Sequence, residues 1–330
     1  MGAPPSSVSA KAGPSALARH PGDPWALILA GGDGTRLQDL TRAIAGAPIP
    51  KQYCRIVGNR SLLEMTFARL AAFVAPERTM VVVSQPHLQL AEEQLGHLPR
   101  ENILVQPCNR DTGPGVLFGL LEIARRAPEA DVAVFPSDHY VGDEHAFLGH
   151  VARALRLIGR CPEKVALLGI RPDRAEPGYG YVQPAGPLEP PASAAFHVEA
   201  FYEKPSVQLA AHIMRAGGLC NSFIMVFRLA RMLALVQAAR RAAFEEMCAL
   251  VENPSATALA YPSLARWNFS SDFLTRVPRH LAVLPVEDTA WSDWGTPEAI
   301  ERTLATVEHD TPLLSLLRRS RATKAASDGA

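Results

Sequence analysis

The first half of the chain alternates between two hydrophobic patterns. Continuous apolar runs are typical of strands buried on both faces of a parallel sheet, and four occur, at residues 25–30, 80–83, 132–135 and 165–168. Between them, apolar positions at helical spacing predict helices over residues 61–74, 87–95, 115–126 and 144–158. Ser61 is the expected N-cap of the first helix. Strands that alternate with helices in this way predict right-handed βαβ units in a Rossmann-like, three-layer α/β fold.

The pattern changes after residue 171, where loops become longer and richer in proline. Extended segments are predicted at residues 180–183, 197–202, 221–227 and 281–286. Helices are predicted at residues 207–215, 229–251 with a break, and 297–306. We expect this half to add strands and helices that cover the carboxyl edge of the first sheet, which makes the sheet mixed.

The two ends of the chain are rich in small and polar residues. We therefore expect a disordered tail at residues 1–24, a single domain over residues 25–312 and a second tail at residues 313–330. The first tail lacks the continuous apolar segment of a secretory signal, and no apolar run reaches the length that spans a bilayer. The expected location is the cytoplasm, without a membrane partner.

Composition adds two exclusions. The chain of 330 residues has 33 basic and 33 acidic residues, so it has no net charge with which to hold nucleic acid. Its five cysteines are scattered and contain no CxxC pair. Small buried side chains in a reducing compartment are expected, rather than a zinc site or a disulfide framework.

A glycine-rich segment, GGDGTRL at residues 31–37, directly follows the first predicted strand. Its three glycines allow close backbone approach to a ligand, and Arg36 suits contact with phosphate oxygens. The segment lacks the Gly-Lys-Ser/Thr end of a Walker A loop. It also lacks the third glycine and the following helix signature of a dinucleotide fingerprint. A phosphate site and an ordinary turn both remain open from these residues alone.

The wider sequence context resembles a known family. GGDGTRL is followed by PKQ at residues 50–52, and this pair resembles the signature of the sugar-1-phosphate nucleotidyltransferases, nearest to the mannose-1-phosphate guanylyltransferases. Further motifs follow in the family's order, namely QPCNRDTGP at 106–114, FPSDH at 135–139, GYGY at 178–181, EKP at 203–205, NS at 221–222 and WSDWG at 291–295. The resemblance covers residues 25 to about 308 and implies the GT-A-like form of the α/β fold.

The implied reaction joins GTP and mannose 1-phosphate to give GDP-mannose and pyrophosphate, with Mg²⁺ as cofactor. The same transfer with another nucleotide or sugar, such as UTP or dTTP with glucose 1-phosphate, stays open. So does a non-catalytic sensor of sugar nucleotides on the same fold. The sequence does not determine the oligomeric state and leaves a homodimer as an option.

The chemistry requires cations that bring two polyanions together and stabilise charge in an in-line displacement. By resemblance, the catalytic residues are Arg36, Lys51, Asp138 and Lys204. The implied nucleotide-binding residues are Ala30, Gly31, Gly32, Gly34, Thr35, Gln106, Asn109, Thr112 and Gly113. The implied sugar-phosphate-binding residues are Gly180, Glu203, Lys204 and Asn221.

Asp138 and Asp293 are the expected magnesium ligands, since Mg²⁺ is commonly held by one or two carboxylates together with phosphates and waters. His139 is expected to support the site through a hydrogen bond. Tyr181 either lines the sugar pocket or packs in the core.

Two positions depart from the family pattern. Phe223 stands where the family commonly has glycine, so its ring either narrows the sugar pocket or turns into the core. Asp33 adds a negative charge to a phosphate loop, which requires its side chain to point outward.

Overall fold

The computed structural model describes residues 24–188 and 194–307, together with Leu317. Apart from Pro24 and Leu317, the two predicted tails lie outside the described residues. Leu317 is buried against a cluster that contains Trp294, Ile300 and Leu304. Over the described residues, no helix combines the length and the apolar character needed to cross a membrane.

Within the described residues, nine strands form one mixed sheet in the order β3-β2-β1-β4-β8-β5-β9-β7-β6. The strands are β1 Trp25–Ala30, β2 Thr79–Ser84, β3 Ile103–Gln106, β4 Asp131–Pro136, β5 Val165–Ile170, β6 Gly180–Pro187, β7 Phe196–Glu203, β8 Leu219–Arg228 and β9 Leu281–Val286. Strands β3, β2, β1 and β4 are parallel, and β8 runs antiparallel between β4 and β5. The mixed α/β fold predicted from the sequence is therefore confirmed.

Helices pack on both faces of the sheet. They are α1 Gln38–Ala45, α2 Leu62–Ala71, α3 Leu88–Gln94, α4 Thr112–Arg126, α5 Glu144–Arg160, α6 Val207–Arg215, α7 Leu229–Ala239, α8 Arg241–Glu252, α9 Pro254–Ala260, α10 Phe269–Asp272 and α11 Pro297–Val307. Ser61 caps α2 as predicted. Its side chain accepts the Glu64 N–H while the Glu64 carboxylate accepts the Ser61 N–H, so two otherwise orphaned donors are satisfied.

Two hydrophobic clusters lie on opposite faces of the sheet. Leu27 and Val82 face the cluster that includes helix α4, whereas Ile28 and Val81 face the cluster that includes helices α2 and α5. Both sets of strand side chains are buried because helices cover both faces, which explains why the strands read as continuous apolar runs.

The second half of the chain adds strands to the sheet, as predicted, and one of them enters its middle, which the sequence analysis did not predict. Strand β8 inserts between β4 and β5, where Met225 lies opposite both Val134 and Leu167. No local pattern in the sequence encodes this insertion, since it depends on pairing between segments about 60 residues or more apart. The alternation of strands and helices ends at β5, which is followed by the β6–β7 hairpin and not by a helix.

A helix also follows the glycine-rich segment, which the sequence analysis did not predict. A 3-10 turn, Thr35–Leu37, leads directly into α1. The helix has only eight residues, of which Leu40 and Thr41 are buried, and a helix of that length is marginal on local sequence alone.

Candidate functional site

The segment at residues 31–36 leaves β1 at the carboxyl edge of the sheet, and side chains from neighbouring elements hold its backbone. The Ala30 carbonyl accepts the Tyr53 hydroxyl at 3.0 Å and Gln52 Nε2 at 3.2 Å. Gln52 Nε2 also donates to the Gly32 carbonyl at 2.7 Å, and Ser84 Oγ donates to the Gly31 carbonyl at 2.7 Å. The loop is therefore positioned before any ligand binds.

Gly34 shows why this loop needs glycine. Its φ of 61° lies in the left-handed region, and a Cβ there would stand 2.8 Å from Pro50 Cα. Pro50 immediately precedes Lys51, so this close approach brings the two predicted phosphate-binding segments together.

Gln106 lies at the floor of the same region and is buried. Its Nε2 donates to Ser84 Oγ at 3.1 Å, and its Oε1 accepts the Tyr261 hydroxyl at 3.0 Å. A Cβ on Gly31 would lie 2.2 Å from Gln106 Nε2, so glycine is required where the loop crosses the amide. Because the Ser84 hydroxyl already donates to the Gly31 carbonyl, it accepts from Gln106, so the amide nitrogen faces Ser84 and the amide oxygen faces Tyr261.

An open cleft of ≈ 460 Å³ begins at this floor. It is lined by residues from both halves of the sheet, namely Leu29, Gly31, Gly32, Arg36, Gln52, Val82, Gln106, Asn109, Asp111, Thr112, Gly115, Pro136, Ser137, Asp138, His139, Glu203, Lys204, Phe223, Arg266, Asn268 and Ser270. A second cavity of ≈ 210 Å³ is lined by Gly32, Gly34, Thr35, Arg36, Leu37, Lys51, Gln52, Asp138 and Gly295. Arg36 and Asp138 line both cavities, so the two spaces meet at these side chains.

Lys51 is the buried cation between the two cavities, with 6% of its surface exposed. Its ammonium lies 3.2 Å from Asp138 Oδ2 and donates to the carbonyls of Asp293 and Trp294, the latter at 3.0 Å. Three oxygen partners satisfy the three donors of the ammonium, as a buried cation requires. Lys51 thereby holds Asp138 against the turn that carries Asp293.

Charge also decides the protonation of Asp138. Burial disfavours the carboxylate, but the attraction of Lys51 and of His139 outweighs burial, so the pKa of Asp138 lies below its usual range. Burial lowers the pKa of His139, and Lys51 adds to this effect. His139 Nε2 stands 3.7 Å from Asp138 Oδ1, which exceeds a hydrogen bond, so the structure does not show the predicted supporting bond.

Asp293 contacts Lys51 through its backbone carbonyl, and its side chain lines neither cavity. Its Oδ1 accepts the Tyr179 hydroxyl at 3.0 Å and the Gly295 N–H at 2.9 Å. The fold thus brings both predicted magnesium ligands to one lysine, although Asp293 does not line the larger cleft. Within the described residues, no group of three His, Cys, Asp or Glu side chains forms a ready-made metal cage.

The donor set still suits a magnesium ion that is held partly by substrate. The Asp138 side chain is 35% exposed and faces both cavities, and its oxygens are the hard ligands that Mg²⁺ prefers. Asp293 offers one carboxylate oxygen besides the one that accepts from Tyr179 and Gly295.

Glu203 and Lys204 also line the cleft, with their charged groups 3.7 Å apart. Burial raises the pKa of Glu203, although Lys204 and the Ser270 hydroxyl counter part of this effect. Gly180 is adjacent, because a Cβ there would stand 2.7 Å from Glu203 Oε2 and 3.5 Å from Asn221 Cβ. Gly180 and Asn221 therefore border Glu203 without lining the cleft.

Tyr181 packs in the core, which settles the alternative left open by the sequence. Its side chain is fully buried beside Cys220, and its hydroxyl donates to the Glu176 carbonyl at 3.0 Å.

The segment between β3 and α4 forms one wall of the cleft. Asn109 Nδ2 donates to Asp33 Oδ2 at 2.8 Å, while Asn109 Oδ1 accepts the Asp111 N–H at 2.8 Å. The exposed Asp33 side chain is thus turned toward Asn109, in agreement with the outward orientation expected for it. Thr112 Oγ1 accepts the Phe269 N–H at 2.9 Å, which joins this wall to the chain near α10.

Gly113, a predicted nucleotide-binding residue, lines neither cavity. It is buried, its N–H donates to the Trp267 carbonyl at 3.0 Å, and a Cβ would lie 2.1 Å from the Trp267 ring. Its role in the structure is to let the first turn of α4 pack against Trp267.

Several cleft residues were missed in the sequence analysis. They are Gln52, Asp111, Ser137, Arg266, Asn268 and Ser270. Gln52, Asp111 and Ser137 belong to motifs that the sequence analysis quoted, so position in a motif could have indicated them. Residues 266–270 carry no sequence signal, and only tertiary packing against α4 brings them to the cleft.

Comparisons with known proteins identify the family. A family model for nucleotidyl transferases matches residues 25–310. The chain therefore belongs to the nucleotidyl transferase family. This confirms the resemblance that the sequence motifs indicated.

The relatives include two enzymes that are both named mannose-1-phosphate guanylyltransferase. Mannose-1-phosphate guanylyltransferase 2 of Escherichia coli O157:H7 is 28% identical over 291 residues, which cover 83% of this chain and 58% of that protein. Mannose-1-phosphate guanylyltransferase of Escherichia coli K12 is 33% identical over 218 residues, or 63% of this chain and 44% of that protein. This chain thus spans about half the length of the curated relatives it matches.

Solved structures support the fold. A mannose-1-phosphate geranyltransferase from Thermus thermophilus matches with a TM-score of 0.75 and 30% identity, covering 86% of this chain and 79% of that one. A UDP-glucose pyrophosphorylase complexed with UDP-glucose matches with a TM-score of 0.54 and 14% identity, covering 86% and 98%. At that identity the second likeness shows the fold alone.

Proposed function

We propose that this chain transfers a nucleotidyl group from a nucleoside triphosphate to a sugar 1-phosphate, with GTP and mannose 1-phosphate as its substrates. One observation carries the proposal. A single cleft is lined by the cations Arg36 and Lys204 and by the carboxylate of Asp138, and the Lys51 ammonium lies 3.2 Å from that carboxylate. Two cations and a carboxylate in one cleft suit two phosphate-bearing substrates and a divalent ion.

The reaction forms one bond and breaks one. An oxygen of the sugar 1-phosphate attacks the α-phosphorus of the triphosphate, and the bond from that phosphorus to the bridging oxygen of the β-phosphate breaks to release pyrophosphate. A phosphate monoester has a second pKa of about 6, so the nucleophile is largely ionised at neutral pH. The chain therefore needs no general base, and its task is positioning and charge stabilisation.

The residues divide this task by position. Arg36 lines both cavities and would contact the phosphates that separate during the reaction. Lys204 would hold the sugar phosphate, while the Glu203 carboxylate would accept hydrogen bonds from sugar hydroxyls. Gln106 at the cleft floor and Asn109 and Thr112 in the wall would surround the base.

Asp138, with Asp293, would hold a magnesium ion, which when bound supplies positive charge beside the reacting phosphates. Lys51 keeps Asp138 ionised and aimed at the point where the two cavities meet. Lys51 thus supplies a positive charge that is fixed in the protein, whereas the magnesium ion would supply one that enters with the substrate.

The choice of GTP and mannose 1-phosphate as substrates is supported by the names of the relatives and by the motif at residues 106–114. The experiment is pyrophosphate release from the purified full chain with Mg²⁺, with GTP, ATP, UTP, CTP and dTTP each paired with mannose, glucose and N-acetylglucosamine 1-phosphates. We expect release to be fastest with GTP and mannose 1-phosphate. Faster release with another pair overturns the substrates but retains the reaction.

A matched pair of variants tests whether the release belongs to this cleft. Arg36→Ala removes the cation shared by the two cavities and should lower kcat by about 100-fold. Arg241→Ala removes an exposed arginine that pairs with Glu245 on helix α8, and it should leave the rate unchanged. Absence of release with every pair, from folded protein that still binds nucleotide, contradicts the proposed reaction and favours a sensor.

A further inference from the structure

Phe223 has a backbone conformation that only glycine adopts easily. Its φ is 58°, and it lies in an irregular part of strand β8. Met225 pairs with Leu167 and Asn221 pairs with Gly169, so three residues of β8 stand opposite Leu168 alone. This bulge moves the Phe223 side chain out of the regular alternation of the strand.

Three side-chain hydrogen bonds hold the bulge in place. Asn221 Oδ1 accepts the Phe223 N–H at 3.2 Å. The buried Ser222 hydroxyl donates to the Leu168 carbonyl at 2.6 Å and accepts the Ile224 N–H at 3.2 Å. A strained conformation persists only where its surroundings fix it, and these contacts provide that support.

The Phe223 ring is half-buried and lines the cleft near Glu203 and Lys204. Its other side meets the Phe269 ring edge-on, with centroids 6.1 Å apart and an interplanar angle of 65°. Phe269 is itself fully buried, so the ring of Phe223 rests on the core and cannot move away from a ligand without disrupting packing.

We propose that Phe223 sets the size limit of the sugar subsite, so that the site admits unsubstituted hexose 1-phosphates and rejects those with an acetamido group. This inference rests on the proposed function, because it assumes that Glu203 and Lys204 face a sugar 1-phosphate. The rigid ring occupies space beside these groups, and it offers no hydrogen-bond partner to the amide of an acetamido substituent.

The test measures binding separately from turnover. Calorimetry gives the Kd of mannose, glucose and N-acetylglucosamine 1-phosphates with the full chain, in the presence of Mg²⁺ and a non-transferable α,β-methylene nucleoside triphosphate. Wild type should bind the better hexose 1-phosphate at least 100-fold more tightly than the acetamido sugar. Phe223→Gly should lower this ratio at least tenfold, and Phe223→Leu, which retains bulk, should keep it within threefold.

Phe223→Ala serves as the second truncation if the glycine variant does not fold, and it should lower the ratio in the same direction. An unchanged ratio in the folded truncation, or equal binding of both sugar classes by wild type, overturns the inference. Pyrophosphate release with the natural triphosphate is measured in parallel. A changed ratio without any release contradicts the proposed function alone, whereas release with an unchanged ratio contradicts the size limit alone.

Discussion

The Tyr179 hydroxyl donates a hydrogen bond to Asp293 Oδ1 over 3.0 Å. Burial and the Asp293 charge raise the pKa of Tyr179 above its usual range, so the hydroxyl remains a donor at neutral pH. The backbone carbonyl of Tyr179 accepts the N–H of Lys204 at 3.1 Å, where Lys204 has a φ of 47°. One residue thus connects the turn that carries Asp293 to the segment that carries Lys204.

Removing this hydroxyl tests the connection. Tyr179→Phe leaves Asp293 Oδ1 without one of its donors but keeps the backbone bond to Lys204. Partners that orient a metal ligand typically contribute 10–100-fold, so we expect kcat/KM to fall about tenfold and the Mg²⁺ concentration for half-maximal rate to rise. Tyr202→Phe, in the neighbouring strand β7, is the matched control and should retain both values. An unaltered Mg²⁺ dependence in Tyr179→Phe would show that Asp293 needs no such orientation.

Asp138→Asn separates the chemistry from the fold. The Lys51 ammonium keeps the carbonyls of Asp293 and Trp294, so the circular dichroism spectrum should match that of wild type. Loss of the carboxylate removes the expected hold on Mg²⁺, and pyrophosphate release should fall by at least about 100-fold. Asp39→Asn, at an exposed site paired only with Arg42, is the control. Full activity in Asp138→Asn would refute the assignment of this residue to the metal.

Local sequence predicted the parts of the site that follow strands. The first apolar run and the glycines after it indicated a loop at the carboxyl edge, and Gly34 and Pro50 do meet there. The carboxylate of Asp138 was expected at the end of a strand and lies directly after β4. Such features are local because a strand's end and its loop are adjacent in the chain.

Contacts between distant segments could not be predicted in this way. Trp267 contacts Gly113 across about 150 residues, and this packing requires glycine there for a structural reason that the sequence did not show. Likewise, Met225 lies between two strands of the first half because β8 returns to the middle of the sheet. No periodicity encodes these pairings, since they depend on contacts between segments that are far apart in the sequence.

Glu203 should show a conflict between stability and binding. A carboxyl group whose folded pKa is raised binds its proton more tightly in the folded state, so its contribution to the free energy of unfolding falls as the pH rises from about 4.3 through the raised pKa. Glu203→Gln removes the ionisable carboxyl group and with it this pH-dependent fall in the free energy of unfolding. The variant should therefore gain stability relative to wild type between acidic and neutral pH, as measured by urea unfolding at several pH values.

The same substitution should weaken sugar binding. The neutral amide makes weaker hydrogen bonds than the carboxylate, so we expect the KM for the sugar 1-phosphate to rise about tenfold with little change in the KM for the triphosphate. Glu199→Gln, an exposed position on the same strand, should change neither the pH dependence nor either KM. A fall in the relative stability of Glu203→Gln with rising pH would contradict the role of burial.

Two glycines in helices provide the last test, because a Cβ would meet crowded surroundings at one and open space at the other. A Cβ on Gly113 would stand 2.1–2.4 Å from three atoms of the Trp267 ring, whereas a Cβ on Gly149 in α5 would meet nothing within 4 Å. Gly113→Ala should lower the free energy of unfolding by about 2 kcal/mol, since overpacking costs about 1–3 kcal/mol. Gly149→Ala should raise it by up to about 1 kcal/mol through helix propensity.

Denaturant unfolding measures both free energies, and nucleotide titration of folded Gly113→Ala decides whether Gly113 also contacts the base. Unchanged nucleotide affinity together with lost stability is the result expected for a packing glycine, and lost affinity at unchanged stability would return Gly113 to the binding site.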